Sequence, residues 1–261
     1  MNIQIANIIE NRSVSDQYFE LVFDYSNFDS EPQPGMFFTV KIDGAFGPVL
    51  RRPFAFSGWN PKQGTASALI EKRGNGTHWL AGLASGDTLD ILGPLGKAFS
   101  FPQRGVRPLL VAGGIGLGPM LFFANVLLAR SNQGLCEAPL LIAGFRTQSL
   151  IPKLDFPAGT LFCTDDGSTG FKGTVLDCIL SLSDALPKVI YACGPSPMLA
   201  ALARYASSLA LPYEASVEQW MACGIGACMG CAVPMTDGTY QRACADGPVF
   251  NGLTVDWEKL V

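Results

Sequence analysis

Apolar positions along this chain follow two rhythms, and the change from one to the other falls near residue 105. Up to about residue 100 the apolar residues gather in short strand-like runs, clearest at Phe37–Ile42, Ala68–Glu71 and Thr88–Leu92. Turn-forming clusters separate them, among them Glu31-Pro32-Gln33-Pro34-Gly35 and Asn60-Pro61-Lys62-Gln63-Gly64. Short strands between Pro/Gly turns predict an antiparallel barrel or sandwich. Beyond Arg107-Pro108 the apolar runs alternate with helix-like stretches. Leu109–Ala112, Pro139–Gly144, Thr160–Thr164 and Val189–Ala192 read as strands buried on both faces, and the helices between them predict a doubly wound parallel sheet of the α/β class. From about Tyr213 the chain turns rich in cysteine and glycine, so the expected division is 1–102, 103–212 and 213–261.

One stretch inside this pattern raises a membrane question. Leu109 to Ala129 carries no charge, and an uncharged apolar run of about twenty residues is long enough to span a bilayer. Composition leans the same way, with 15% charged residues and a mean hydropathy of +0.26, against about 25% charged in an ordinary soluble domain. Gly113, Gly114, Gly116, Gly118 and Pro119 occupy the first half of the run, where they would break a helix and leave backbone groups unpaired in lipid. The run therefore reads as buried strand, glycine loop and buried helix, with the helix over Met120–Ala129. The first fourteen residues show neither the basic segment nor the long apolar run of a secretory signal, so a cytoplasmic location is expected. A net charge of −4 without any block of like charge argues against nucleic-acid binding by phosphate neutralisation.

In a reducing compartment the eight cysteines call for a role other than a disulfide framework. Cys223, Cys228, Cys231 and Cys244 are spaced C-x4-C-x2-C-x12-C, the plant-type [2Fe–2S] pattern. Three thiolates on one tight loop and a fourth from a following strand can surround a two-iron centre. Gly224, Gly226 and Gly230 let backbone N–H groups approach the sulfurs. Structural zinc, the alternative, usually shows paired C-x2-C knuckles, often with histidine, and the single histidine, His78, is remote in sequence. Cys136, Cys163 and Cys178 sit singly in apolar surroundings and read as small buried hydrophobes.

Gly114-Ile115-Gly116-Leu117-Gly118-Pro119 follows a predicted strand and opens a helix. Backbone N–H groups and the positive end of the helix dipole suit a pyrophosphate there. Cys193-Gly194-Pro195 lies just past another strand end. Both loops would project from the carboxyl edge of one sheet, where dinucleotides bind, which makes Gly114, Gly116, Pro119, Cys193, Gly194 and Pro195 the candidate NAD-binding residues. Asp165-Asp166 after the third strand could hydrogen-bond a ribose diol and repel a 2′-phosphate, favouring NAD, while Arg146 argues for NADP.

Taken together, Arg52-Pro53-Phe54-Ala55, Gly76-Thr77, Gly86-Asp87, Leu92-Gly93-Pro94-Leu95-Gly96, the glycine loop, Cys193-Gly194-Pro195 and the cysteine segment resemble the ferredoxin-reductase-type flavoproteins. More narrowly, Met221–Cys231 and Ala243–Phe250 closely resemble the electron-transfer subunits of NAD-dependent, type B dihydroorotate dehydrogenase. The resemblance covers essentially the whole chain. It implies an antiparallel flavin-binding β-barrel, a doubly wound nucleotide-binding domain and a small C-terminal [2Fe–2S] domain. It also implies that Arg52, Pro53, Phe54, Ala55, Leu69, Ile70, Glu71, Gly76 and Thr77 bind FAD, with Arg52 at the pyrophosphate. Ala55 departs from the family, which usually has Ser or Thr there, so a hydroxyl expected near the flavin is missing.

The function implied is an oxidoreductase subunit in pyrimidine (UMP) biosynthesis. A separate FMN-containing catalytic subunit oxidises dihydroorotate and passes single electrons to the cluster, and from there they reach FAD and NAD⁺. The implied assembly holds two catalytic and two electron-transfer subunits. The same segments also occur in NAD(P)H-linked reductase subunits with glutamate-synthase-like or sulfide-oxidising partners, and a metal-stabilised binding module without redox activity is a further alternative. A charge-poor surface is finally expected to carry an apolar face near the cysteine loop, covered by the partner.

Overall fold

The computed structural model describes residues 3–42, 49–182 and 188–260. The first half is antiparallel. It contains β1 (Ile3–Ser13), β2 (Tyr18–Asp24), β3 (Phe37–Lys41), β4 (Arg52–Ala55), β5 (Gly58–Asn60), β6 (Thr65–Glu71), the short helix α1 (Asn75–Ala81) and β7 (Thr88–Leu95). Their order across the sheet is β4-β3-β7-β1-β2-β6-β5. The two outermost strands are consecutive in the chain, and the link between them carries the hydrogen bonding across. Phe56 N–H donates to the Met36 carbonyl at 3.2 Å, and Ser57 N–H donates to the Ser67 carbonyl at 2.8 Å. That joint closes the sheet into a barrel, deciding between barrel and sandwich. Inside it lie Phe19, Leu21, Phe23, Phe38, Val40, Ile70 and Ile91, all buried.

The second half contains β8 (Pro108–Gly113), α2 (Leu117–Asn132), β9 (Leu140–Phe145), β10 (Leu161–Thr164), β11 (Phe171–Lys172), α3 (Val175–Ser181), β12 (Val189–Cys193), α4 (Ser196–Ser208) and β13 (Tyr213–Ser216). Three short strands, β14 (Ala232–Pro234), β15 (Tyr240–Arg242) and β16 (Val249–Asn251), and the terminal turn of helix α5 (Trp257–Leu260) follow. The sheet order is β11-β10-β9-β8-β12-β13-β16, parallel except for β16. Helices cover both faces. Leu110 and Ala112 of β8 pack with Leu117, Met120, Phe123 and Leu127 of α2. The alternate residues Leu109 and Val111 pack with Leu199, Leu202 and Ala203 of α4 on the other side. Burial on both faces explains the unbroken apolar runs, and each such Leu, Ile or Phe stabilises the sheet by about 1.5–3 kcal/mol.

Two expectations change. The helix starts at Leu117 rather than Met120 and runs to Asn132. Pro119 lies within its first turn, where a missing N–H costs no intrahelical bond. By length and composition Gly114–Asn132 would suit a membrane, yet here it is a core helix with Leu117–Ala124 and Leu127 buried. The division at 212/213 also falls inside the parallel sheet, because Tyr213–Ser216 pairs with β12 and Val249–Asn251 pairs with Tyr213–Ser216 in turn. Glu214 and Ser216 alternate with the buried Tyr213 and Ala215, so this outer strand lacks the continuous apolar run of its neighbours.

Candidate functional site

Strand order reverses between β8 and β12, since the chain winds outward from β8 to β9 and β10 on one side and from β12 to β13 on the other. Such a switch point leaves a crevice at the carboxyl edge of the sheet. The two loops predicted to face a dinucleotide meet there. A Cβ on Gly116 would collide with the Cys193 carbonyl and stand 2.8 Å from the Gly194 nitrogen, so only glycine permits this approach.

The barrel supplies the opposite wall, and between the two lies a cavity of about 820 Å³, at the upper end of the roughly 300–1,000 Å³ usual for ligand sites. Pro53, Phe54, Ala55, Leu69, Ile70, Glu71 and Thr77 line it from the barrel side. Gly114, Gly116, Pro119, Cys193, Gly194 and Pro195 line it from the sheet side. The wall does not include Arg52 or Gly76. Arg52 is half-buried at the start of β4, and its guanidinium makes no hydrogen bond or ion pair among the described residues. Its neighbour Arg51, by contrast, is engaged by Asp90 at 2.6 Å and by Thr39 at 3.1 Å. Thr77 Oγ1 is committed within its own turn, accepting from the Arg73 and Gly74 amides at 2.8 and 3.1 Å.

Arg146 and Asp165 both face the cavity. Asp166 is turned into its own loop, where hydrogen bonds from Ser168 hold its carboxyl below the usual range. Burial pushes the Cys193 thiol up to about 12 despite a hydrogen bond with Ser216, so it stands as a neutral thiol on the cavity wall. Cys136, Cys163 and Cys178 are buried, as their apolar surroundings predict, and His78 is exposed on α1.

The four spaced cysteines stand as two pairs. Cys231 and Cys244 are buried with their sulfurs 3.3 Å apart, close to the ~3.8 Å of two thiolates sharing one tetrahedral metal with bonds of about 2.3 Å. Cys223 and the exposed Cys228 form the second pair. Backbone amides aim at the sulfurs: Gly226 to Cys244 at 3.1 Å, Ala227 to Cys223 at 3.3 Å, Gly230 to Cys228 at 3.4 Å and Cys244 to Cys231 at 3.4 Å. Gly224 and Gly226, at φ of +70° and +85°, allow that turn, and Met229 shares the left-handed region at +57°. The amide of Ile225 leads in drawing the Cys223 pKa down to about 6, while burial pushes Cys244 up to about 12. Among the described residues no three ligating side chains converge on a single point; two pairs of thiols are the donor set of a two-iron centre.

Residues 218–256 match the family model described as the iron–sulfur cluster binding domain of dihydroorotate dehydrogenase B. Over 250 residues the chain is 37% identical to the dihydroorotate dehydrogenase B (NAD(+)) electron transfer subunit of Bacillus caldolyticus, covering 93% of this chain and 94% of that one. The chain belongs to this family of electron-transfer subunits. A member from Desulforamulus reducens is 31% identical over 260 residues, covering 97% and 98% of the two chains. Among solved structures, a chain from the NADH-dependent reduced ferredoxin-NADP oxidoreductase superposes with a TM-score of 0.86 at 27% identity, covering 98% of this chain and 91% of that one. The ferredoxin reductase of carbazole 1,9a-dioxygenase shares the fold, with a TM-score of 0.69 at 20% identity over 81% of this chain and 67% of its own.

For a member of this family, sequence reasoning left several cavity residues unnoticed. Tyr18 at the start of β2 faces the cavity beside Gly114, and burial, helped by Glu71, pushes its hydroxyl up to about 12. Phe37, Glu218 and Met221 also face it. Tyr18, Phe37 and Glu218 lie in no recognisable motif, whereas Met221 opens the Met221–Cys231 segment, where its place on the cavity wall was not anticipated.

Proposed function

We propose that this chain carries electrons between a dihydroorotate-oxidising, FMN-containing catalytic subunit and NAD⁺, through a [2Fe–2S] cluster and FAD, in pyrimidine biosynthesis. The observation that carries the reading is one cavity lined by both the flavin-type and the nucleotide-type segments, with two thiol pairs in the segment that leaves its wall. Bound FAD exchanges electrons in pairs with NAD and singly with a one-electron iron–sulfur centre. Cys223 and Cys228 would hold one iron, and Cys231 and Cys244 the other.

Arg52, just outside the cavity wall, has no partner of its own among the described residues and is the guanidinium available to the FAD pyrophosphate; Pro53–Ala55, Leu69–Glu71 and Thr77 shape the flavin side, with Gly76 behind Thr77. Gly114, Gly116, Pro119, Cys193, Gly194 and Pro195 shape the NAD side. Asp165, rather than Asp166, is the carboxylate placed to meet the NAD ribose. The partner surface lies around the outer thiol pair, the exposed Cys228 and the half-buried Cys223. Trp220, Ile225 and Met229 are exposed there, Trp220 at 88%. Across the barrel, Ile3 and Thr39 pair with Leu92 from either side, and Thr39 lies 3.3 Å from where a Gly224 Cβ would be. Exposed Ile3 thus lies in a row of the sheet that ends against the cluster loop. We read this surface as the seat of the catalytic subunit, in a heterotetramer of two subunits of each kind. The eight free cysteines suit a cytoplasmic setting.

Anaerobic co-expression with candidate catalytic subunits tests the reading. The expected product is a yellow-brown complex containing FAD, FMN and two irons per electron-transfer chain, which reduces NAD⁺ with dihydroorotate. The isolated subunit is expected to pass electrons from NADH to dyes without oxidising dihydroorotate. A colourless chain, or one that binds another oxidoreductase and not the FMN subunit, overturns the proposal.

A further inference from the structure

Arg242 ends β15 opposite Ala232 of β14, so it stands where the strand entering Cys244 is sewn to the strand leaving Cys231. Its side chain turns back across the cysteine loop. Nη1 donates to the Gly226 carbonyl at 2.7 Å, while Nε and Nη2 donate to the two carboxylate oxygens of Asp246 at 2.8 and 3.0 Å. The Arg242 amide donates to the same carboxylate at 2.9 Å. Gly226 is also the residue whose amide points at the Cys244 sulfur, at 3.1 Å. One guanidinium therefore grips the loop at the residue that presents a hydrogen bond to a buried ligand, and a carboxylate holds the guanidinium in place.

We propose that Arg242 is a positioning residue of the iron–sulfur site, a fixed positive charge that sets how readily the cluster accepts its electron, with Asp246 as the opposing charge. The inference rests on the ligand assignment made above. Reduction adds one negative charge beside the buried Cys231–Cys244 pair, and a cation at a fixed distance in a partly buried setting favours that change while an anion opposes it. The guanidinium is one residue removed from that pair, because the Gly226 whose carbonyl it holds at 2.7 Å donates its amide to the Cys244 sulfur at 3.1 Å. Both side chains of the ion pair are only about one-third exposed, Arg242 at 35% and Asp246 at 32%, so solvent screens them incompletely. The fork geometry matters as well, since a lysine can carry the charge but cannot bind Gly226 and both oxygens of Asp246 together.

The test is a potentiometric titration of the cluster, followed by electron paramagnetic resonance, in the complete complex with its catalytic subunit, with iron counted per chain. Arg242→Gln is expected to lower the reduced-to-oxidised ratio at a fixed applied potential about three- to tenfold. At 59 mV per tenfold for a one-electron couple that is a fall of about 30–60 mV. Asp246→Asn is expected to shift the ratio the opposite way, and Arg242→Lys to fall between wild type and Arg242→Gln. A purely structural clamp would move both variants in the same direction or leave the potential alone, and either result with the iron retained overturns the proposal. If Arg242→Gln fails to hold its iron, Asp246→Asn and Arg242→Lys decide, and an Asp246→Asn potential at or below wild type overturns it. Cys231→Ser and Cys244→Ser separate this outcome from the ligand assignment. Full iron and an unchanged resonance in those two overturn the assignment itself, whereas iron loss there with unmoved potentials in the Arg242 and Asp246 variants overturns only the present inference.

Discussion

The nucleotide loops and the cysteine loop are both built on glycine, yet they are held in shape by different forces. Gly114–Gly116 and Cys193–Pro195 leave strands buried on both faces, and their backbones touch each other. Their shape is imposed by the hydrophobic sheet beneath them. The loop 223–231 is anchored by a ribbon of two three-residue strands, by amide-to-sulfur hydrogen bonds and by the Arg242–Asp246 pair. Of its outer thiols, Cys228 is exposed and Cys223 half-buried. The nucleotide half of the site is thus organised by burial throughout, whereas the cysteine half is buried only at its inner end, where Cys231 and Cys244 join the core with Val233, Met235 and Ala243, and is held by polar contacts at its outer end, so loss of a ligand should be felt unequally.

The sharpest way to break that contrast is Cys244→Ser. Cluster iron and its visible absorption should be nearly abolished, and proteolysis within 218–248 should rise on the order of tenfold as metal-linked local stability is lost. The far-ultraviolet circular dichroism of the parallel sheet should stay close to wild type. Collapse of the sheet together with the cluster would show the two regions to be one cooperative unit. A smaller effect is expected from Gly116→Ala, which forces the two nucleotide loops apart. Overpacking against backbone should cost about 1–3 kcal/mol in chemical denaturation and depress NADH-dependent dye reduction, with iron per chain unchanged. Iron loss in this variant would contradict the separation. The smallest effect lies at the start of α3, where Thr174 Oγ1 accepts the Asp177 amide at 3.2 Å and donates to its carboxylate at 2.7 Å. Thr174→Ala should lower Tm by a few degrees at pH 7. Hydrogen bonds from Thr174 lead in holding the Asp177 carboxyl below its usual range. A group depressed in the folded state contributes above its unfolded pKa, and the contribution is lost as pH falls through the folded one. The Tm gap should therefore narrow from pH 7 toward pH 3; a gap independent of pH would assign the whole effect to the neutral hydroxyl.

The same contrast explains what could be read from sequence. Val111, Ile142 and Ile190 lie in runs that are apolar because both faces of the strand are covered, so the four inner parallel strands were legible to within a residue or two, while the outer β11 and β13 were not. β1 was not, because Ile3, Ile5 and Ile9 point outward while Ala6 and Ile8 point inward, and a bulge after Ile8 shifts the register. Arg52–Ala55 is half-buried at every position and has no alternation to detect. At the site, four cysteines announced themselves by spacing alone. Tyr18, Phe37 and Glu218 did not, since each reaches the cavity from a strand end or turn whose purpose appears only when barrel and sheet meet. Arg242 and Asp246 flank a cysteine at ordinary distances in sequence, and only the path of the guanidinium back to Gly226 gives them meaning.

Strand β16 lies antiparallel to β13, and the excursion between them is closed at its neck by the Val217 amide donating to the Pro248 carbonyl at 2.9 Å. Topologically, the whole iron-binding segment is an oversized hairpin loop at the edge of a sheet that is otherwise continuous. Closing such a loop costs little more when it is long than when it is short. The neck thus holds the flanking strands in register whatever the length of the insert, while Glu218 and Met221, just inside it, reach back to the cavity and tie the metal-binding segment to the wall it leaves.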